Sequence, residues 1–383
     1  MGALGLNIYG YDSSGGYQGI FSALDVGDAK AVAWLIGSVI GDGRDEIIQL
    51  WDNSGRLGRN TYGLYAASSY SLLFKSNDVG QGSGAVAWLM GYVNGEAGRE
   101  QIIQLWDNSG RLGMIVYGFE GTGNYETLFA SGDMGQASGA IAWLIGDVNG
   151  DGREEIIQLW NSSGRLGMII YGYNGAGGYK TLFSSTDMGQ GSGAVAWLID
   201  DVNGDGREEI IQLWDNGGVL GLIIYGYDGA GGYKTLFGSG NMGAGSGAVA
   251  WLIGNVNGDN KAKIIQLWNN SGRLGMTVYG YDGTSSYKIL FSSTDMGQGS
   301  GAVAWLIGDI NGDGRPKIIQ LWDNGGVLGL IIYGYDGAGG YKTLFGSGNM
   351  GAGSGAVAWL IGDVNGDYKD EIIQLRDSGT VIS

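Results

Sequence analysis

The segment Ala-Trp-Leu occurs seven times, and its tryptophans, Trp34, Trp88, Trp143, Trp197, Trp251, Trp305 and Trp359, are spaced 54, 55, 54, 54, 54 and 54 residues apart. A period of this size marks a supersecondary unit that buries its apolar face only by packing against its neighbours. The repeat runs from end to end without a linker, so residues 1–383 read as a single domain of seven units.

Residues 139–189 give the cleanest unit. Four short apolar runs stand between Gly, Asn, Asp and Ser clusters: Ala140 to Ile145, Glu155 to Trp160, Leu166 to Tyr173 and Tyr179 to Phe183. The runs are strand-sized, β-branched and aromatic, and none has a sustained 3.6-residue period. The chain is therefore all β. The 80 glycines act as turn residues, and the single proline, Pro316, falls at a loop-to-strand junction.

Four antiparallel strands repeated seven times predict a seven-bladed β-propeller. A solenoid is the competing architecture, but it needs polar caps at both ends. The ends are instead complementary. The chain starts with runs matching strands three and four (Leu4 to Tyr11, Tyr17 to Phe21) and ends on one matching strand two (Glu371 to Leu375). One blade then combines the two terminal pairs and closes the ring. Above the single blade, Ile210 to Gly254 is identical to Ile318 to Gly362, 108 residues further on. Identity over 45 residues at an offset of two blades points to a recent duplication of a two-blade unit or to selection for chemically equivalent blades.

Composition removes several function classes. There is no cysteine and no histidine, which excludes disulfides, thiolate metal sites, the usual zinc ligand and the commonest general base. A formal charge of −17 argues against nucleic acid and anionic membranes and favours cations as partners. No apolar run approaches the ~18 to 20 residues of a membrane span, and the N-terminus has neither a basic nor a long apolar region of the kind an export signal needs.

Cations have an evident place. The loop between strands one and two reads Asp147-Val148-Asn149-Gly150-Asp151-Gly152-Arg153-Glu154-Glu155. Oxygen side chains stand at positions 1, 3, 5 and 9, and position 7 offers a carbonyl, a spacing suited to Ca²⁺ with its six to eight oxygens. In this β setting the Asp-x-Asn-x-Asp-Gly-x-x-Glu loop resembles the calcium loop of the FG-GAP or VCBS repeat family, which builds the seven-bladed heads of integrin α-subunits and a fungal lectin. The resemblance covers all seven units. It implies structural Ca²⁺ clipping two strands together and an extracellular setting.

The copies differ. Full sets occur in the third unit (Asp147, Asn149, Asp151, Arg153, Glu155), the fourth (Asp201, Asn203, Asp205, Arg207, Glu209) and the seventh (Asp363, Asn365, Asp367, Lys369, Glu371). The sixth keeps Asp309, Asn311 and Asp313 but has Lys317 at position 9, and the fifth has Asn255, Asn257, Asp259 and Lys263. The first has Ser38 and Ile40, and the second has Tyr92 and an insertion near Ala97. Ions are expected in units three, four and seven and not in one, two and five, with six as a borderline site. Lys263 and Lys317 read as placing an ammonium where calcium would sit.

The opposite rim carries the other candidates. Strand two ends in tryptophan followed by Asp or Asn: Trp51-Asp52, Trp106-Asp107, Trp160-Asn161, Trp214-Asp215, Trp268-Asn269 and Trp322-Asp323, with Arg376 in the seventh copy. An indole beside a carboxylate or amide suits a sugar ring and its hydroxyls; equally, the indoles fill the wedge between blades. These residues lie near the connection from strand four, Ser184 to Gln190 in the third unit. Carboxylate pairs such as Glu154-Glu155 fall in loops that metal or solvent already explains, so no catalytic residue is assigned.

The expectation is a multivalent lectin on a calcium-stabilised propeller, with glycans or glycoproteins as partners and no enzymatic activity. Many near-equal weak sites favour binding over catalysis. An integrin-like adhesion module and, third, a polysaccharide-active enzyme are the alternatives.

Overall fold

The computed structural model describes residues 2–381 except 13, 28–29, 67–68, 81, 83, 97, 122–124, 136–138, 190, 192, 244, 246, 285, 298, 300 and 352. Its described residues form seven four-stranded antiparallel sheets. Blades one to six span residues 33–76, 87–131, 140–185, 196–239, 250–293 and 304–347. The seventh combines Ala358–Gly362 and Glu371–Val381 with Gly2–Tyr11 and Tyr17–Ala23. In that blade Leu6 pairs with Leu375, Asn7 with Gln374 and Ile8 with Ile373, so the predicted two-plus-two closure is formed by main-chain pairing. No helix among the described residues is long and apolar enough to cross a membrane.

The strand periodicity follows position in the blade. In blade three, strands two (Glu155–Ser162) and three (Arg165–Tyr173) are central and buried on both faces, which is why their apolar runs are nearly continuous. Ile156, Ile157, Leu159, Leu166, Met168 and Ile170 are fully buried. Strand four (Tyr179–Ser185) is the outer edge. Only Tyr179 in it is buried, the other residues being half-buried or exposed, and it carries a bulge opposite Ile170 and Tyr171, with Lys180 beside it. A bulge and a charge on an edge strand oppose sheet-to-sheet aggregation.

The turn from strand two to strand three is a two-residue hairpin. Asn53 pairs with Arg56, and the intervening Ser54 and Gly55 have φ of 54° and 85°. Two successive left-handed residues define a turn whose twist matches antiparallel strands. Blades four and six place Gly217-Gly218 and Gly325-Gly326 there, removing the cost of a left-handed serine.

The core lies between blades. One cluster joins Leu105, Leu112 and Met114 of blade two to Ile156, Trp160 and Tyr171 of blade three. Another joins Leu4, Leu6 and Ile8 to Ile47 and Tyr62 across the closure. The first-strand tryptophans, which give the repeat its period, pack against these clusters, Trp143 against the two–three interface and Trp34 against the closure.

Blade one breaks the pattern at Arg59, which occupies the strand-three position held elsewhere by Leu6, Met114, Met168, Leu222, Met276 and Leu330. Arg59 is 1% exposed, none of its guanidinium nitrogens has a hydrogen-bond partner, and it stacks 3.6 Å over the Tyr125 ring. Burial lowers its pKa to about 10. An unpaired buried cation costs more than a well-packed apolar side chain of similar volume. Arg59→Met is expected to stabilise the protein by about 1–4 kcal/mol, measured as a higher urea midpoint; an unchanged or lower midpoint would show that Arg59 is compensated.

Candidate functional site

The loops between strands one and two form one face of the ring. In blade three the Asp147 carboxylate accepts from the backbone N–H groups of Gly150 (2.7 Å), Asp151 (3.1 Å) and Gly152 (2.9 Å). Asn149 Oδ1 accepts from Asp151 N–H at 2.8 Å, and Asp151 Oδ1 from Arg153 N–H at 3.0 Å. The same pattern recurs in blade four at Asp201, Asn203 and Asp205 and in blade seven at Asp363, Asn365 and Asp367. In this arrangement no three acidic side chains of the described residues converge as metal ligands would.

Position 9 is different. Glu155 is 2% exposed; its Oε1 accepts from Asn149 Nδ2 at 2.6 Å, and its Oε2 is buried without a partner. Desolvation, reinforced by the neighbouring aspartates, pushes the carboxyl up to about 9, and those of Glu209 and Glu371 to about 8. A buried carboxylate with an orphan oxygen is a group that a cation would complete.

Blades five and six show a cation there. Lys263, 1% exposed, donates to Asp259 Oδ1 (2.5 Å) and to the Lys261 carbonyl (2.6 Å). Lys317 donates to Asp313 Oδ1 (2.7 Å) and to the Arg315 carbonyl, with Asp309 Oδ1 3.8 Å away. In both loops the position-9 ammonium meets positions 5 and 7, and in loop six position 1 lies near it as well, whereas Asn255 Oδ1 at position 1 of loop five is buried without a partner. In blade one, Glu46 instead accepts from Val39 and Ile40 N–H at 3.1 Å each. In blade two the position is Gln101, and the insertion at Ala97 lies outside the described residues.

Position 8, to which the residue pattern gave no role, joins the loops of blades one, two, three and seven to the loop before each. Glu100 accepts from Ser38 N–H (2.8 Å), Glu154 from Tyr92 N–H (2.9 Å), Asp370 from Asp309 N–H (2.7 Å) and Asp45 from Asp363 N–H (3.0 Å). A Cβ on Gly37 would fall 1.8 Å from Glu100 Oε2, so strand one must end in glycine wherever the next blade supplies the carboxylate. Blade five supplies Ala262, and there strand one of blade four ends in Asp200, whose own Oδ1 accepts from Asp201 N–H at 2.8 Å. The carboxylate has moved across the interface. Pro316 breaks the same ring, since it has neither the carboxylate nor the N–H that the other blades direct at the preceding loop.

The opposite rim is organised by a glutamine that the sequence reading passed over. Gln104, Gln212, Gln266, Gln320 and Gln374 each donate to two glycine carbonyls of the connection preceding their blade. Their Oε1 atoms accept from tyrosine hydroxyls of strand three or its counterpart, Tyr117, Tyr225, Tyr279, Tyr333 and Tyr9, at 2.8–3.2 Å. A glutamine recurring inside a fully apolar run was the available signal.

The six candidate indoles each press on a strand-three glycine: a Cβ at Gly58, Gly113, Gly167, Gly221, Gly275 or Gly329 would lie 2.1 Å from the adjacent ring. Beyond that they divide. Trp106, Trp160, Trp214 and Trp322 stand beside Ile115, Ile169, Ile223 and Ile331 and pack into the inter-blade clusters. Trp51 and Trp268 have Asn60 and Thr277 at the corresponding position and line cavities of about 570 and 300 Å³.

The residues after the tryptophans serve the hairpins. Asp52, Asp107, Asn161, Asp215, Asn269 and Asp323 accept from the turn glycine N–H at 2.7–3.0 Å. It is the next residue that reaches the connection: Asn53 donates to Asn77 O and Asn108 to Gly132 O, at 2.5 and 2.6 Å. Asp187 of the third connection pairs with Arg165 at 2.7 Å, and Gln190 lies outside the described residues.

No protein-family model matches the chain, and no curated protein does. Among solved structures it is similar to the exotype rhamnogalacturonan lyase YesX, at 17% identity over 91% of this chain and 72% of that one, with a TM-score of 0.45. The rhamnogalacturonan lyase YesW gives 16%, 90%, 71% and 0.45. The catalytic domain of a GH62 α-L-arabinofuranosidase from Coprinopsis cinerea gives 13%, 77%, 91% and 0.30. These likenesses carry no activity to this chain.

Two expectations follow from the geometry. The unfolded chain releases the protons of Glu155, Glu209 and Glu371 near the ordinary 4.5, whereas the metal-free folded chain holds them to about 8 or 9. Folding then takes up protons, and stability falls as pH rises through that window. Asp45, Glu100 and Glu208, raised to about 6, 7 and 7 by burial, act in the same direction. The melting temperature in chelator should decline from pH 5 to 9, and a flat profile would show these carboxyls to be ionised throughout. Separately, Trp160→Ala should cost about 3–5 kcal/mol in urea denaturation and Trp268→Ala clearly less, because one indole is packed and the other borders open space.

Proposed function

We propose that this propeller is a calcium-stabilised glycan-binding protein whose loops are of the FG-GAP or VCBS type and whose sugar sites lie on the rim opposite them. The observation that carries the glycan reading is the pair of open cavities beside Trp51 and Trp268. In both, a polar side chain replaces the isoleucine that stands at this position beside the other four indoles. An indole, a glutamine and small polar groups around a concave site suit a pyranose ring better than a flat apolar partner. Two sites on one rigid ring support avidity toward clustered glycans. An extracellular setting and a non-catalytic role belong to the same reading; an adhesion module that binds protein is the alternative. The test is a glycan array run with wild type, Trp268→Ala and Thr277→Ile. Hits that weaken at least about ten-fold in both variants support the reading, and a blank array with wild type would end it.

Calcium in loop three is supported by the orphan oxygen of Glu155, and calcium in loops three, four and seven by the ammonium groups that take position 9 in loops five and six and meet the position-5 and position-7 oxygens there. In loops four and seven the corresponding Oε2 accepts from Val202 and Val364 N–H at 3.2 Å. When bound, the ion would tie the end of strand one to the start of strand two through Asp147, Asn149, Asp151, the Arg153 carbonyl and Glu155, and through their counterparts Arg207 and Lys369 in the other two loops. Lys263 and Lys317 supply that charge from within the chain. Titration calorimetry should give three Ca²⁺ per chain, and Lys317→Glu, which completes a full ligand set with Asp309, Asn311 and Asp313, should give four. Ions in the wild-type fifth and sixth loops would overturn the lysine assignment, and no calcium binding at all would overturn the metal reading.

A further inference from the structure

The larger of the two cavities differs from its counterpart in three coordinated ways. Strand three, or its counterpart in blade seven, faces the strand-two glutamine with isoleucine in four blades, with Thr277 in blade five, with Asn7 in blade seven, whose Oδ1 accepts from Ser22 Oγ at 2.7 Å, and with Asn60 in blade one. On strand four, the residue paired with that position is Ala130, Ser184, Gly238, Ser292 or Gly346 in blades two to six, but Lys75 in blade one. In the connection before strand one, Gly84, Gly139, Gly193, Gly247, Gly301 and Gly355 stand where blade one has Lys30. All three substituted residues line the same space of about 570 Å³.

Their geometry suits a ligand. Gln49 Nε2 donates to the Lys30 carbonyl at 2.6 Å, which anchors Lys30 at the cavity wall. Gln49 Oε1 accepts from Asn60 Nδ2 at 2.8 Å and from the Tyr62 hydroxyl at 2.9 Å. These bonds leave Asn60 Oδ1 buried and unpartnered on a side chain only 7% exposed. A buried acceptor of this kind is costly until a donor reaches it. Trp51 supplies an apolar wall, and Asp52, which also borders the space, caps its own turn through Gly55 N–H. Among the described residues the lining carries two lysines and one aspartate, on a chain of net charge −17.

We infer that the blade-one cavity is a site for a carboxylated pyranose, a uronic acid residue of a glycan, whereas the neutral blade-five cavity takes an uncharged sugar. A ring hydroxyl donates to Asn60 Oδ1, the ring lies along Trp51, and the carboxylate faces Lys30 and Lys75. The inference rests on the glycan reading above only in taking the ligand to be a sugar.

The probes are methyl glucuronide and methyl glucoside, which share a ring and differ in the carboxylate, titrated into the full chain with tryptophan fluorescence and calorimetry as readouts. Wild type should bind the glucuronide at one site at least about ten-fold more tightly than the glucoside at low salt, with the preference shrinking as salt rises. Lys30→Gly combined with Lys75→Ser, the residues that blade five carries, should erase the preference. Asn60→Ile should abolish glucuronide binding, and Trp268→Ala should leave it intact. Each change installs a residue found at that position in another blade or lies outside the cavity, and thermal melts confirm folding. Equal binding of the two probes, a preference that survives the double substitution, or glucuronide binding retained in Asn60→Ile would overturn the inference. Array hits on neutral glycans without a glucuronide preference would sink this assignment and leave the lectin reading standing. Glucuronide binding with no neutral hits would uphold this cavity and remove the one in blade five, and no binding of either probe would remove both.

Discussion

A four-stranded sheet with two apolar faces cannot stand alone in water, and in this chain each blade finds cover only on its two neighbours. The inter-blade clusters are therefore the condition for every strand, and the ring must close because an open end would leave one such face exposed. The two-plus-two blade meets that demand with main-chain pairing between Leu4 to Tyr9 and Ile372 to Asp377. The glycine distribution follows from it too: strand-three glycines such as Gly167 exist because an indole lies on them, and strand-one glycines such as Gly37 because the next blade's carboxylate does.

Once the ring is closed, the two faces do different work. On the loop face, position 8 ties blades one, two, three and seven to the blade before each, and the buried group at position 9 is a carboxylate, an ammonium or, in blade two, the Gln101 amide. Blades five and six depart at both positions together: Ala262 and Pro316 lack the clasp, while Lys263 and Lys317 bring their own charge. Asp200 shows the compensation, since it takes the place of a glycine where the opposite carboxylate is missing. On the other face, the buried glutamines of blades one, two, four, five, six and seven donate to the connection before each, and the side chains around the tryptophan differ from blade to blade.

Much of this was legible in the sequence. The period gave the blades, the runs gave the strands, and the complementary ends gave the closure, because burial and turn chemistry leave a direct imprint on residue type. The oxygen spacing in loops three, four and seven and the lysines in five and six were legible for the same reason. The rim was not. Six tryptophans with the same flanking residues looked equivalent, yet their surroundings are decided by one residue on the neighbouring strand, Ile169 in one case and Asn60 in another, brought opposite the strand-two glutamine by register alone. The Asp or Asn after each indole reads as a ligand group, and in the structure its oxygen also caps the hairpin turn, a role the residue pattern did not separate from the first.

By itself, then, the sequence determined the all-β class, the sevenfold repeat, the closure and the positions of the acidic loops, all of which depend on hydrophobic pattern and on residues close together in the chain. Only the tertiary structure decided which tryptophans border open space, that the position-8 carboxylates clasp neighbouring loops, and that three separated substitutions, Lys30, Asn60 and Lys75, line one cavity. Those outcomes depend on which atoms meet across strands and blades. A repeat that makes all seven units look alike gives no sign of where such meetings differ.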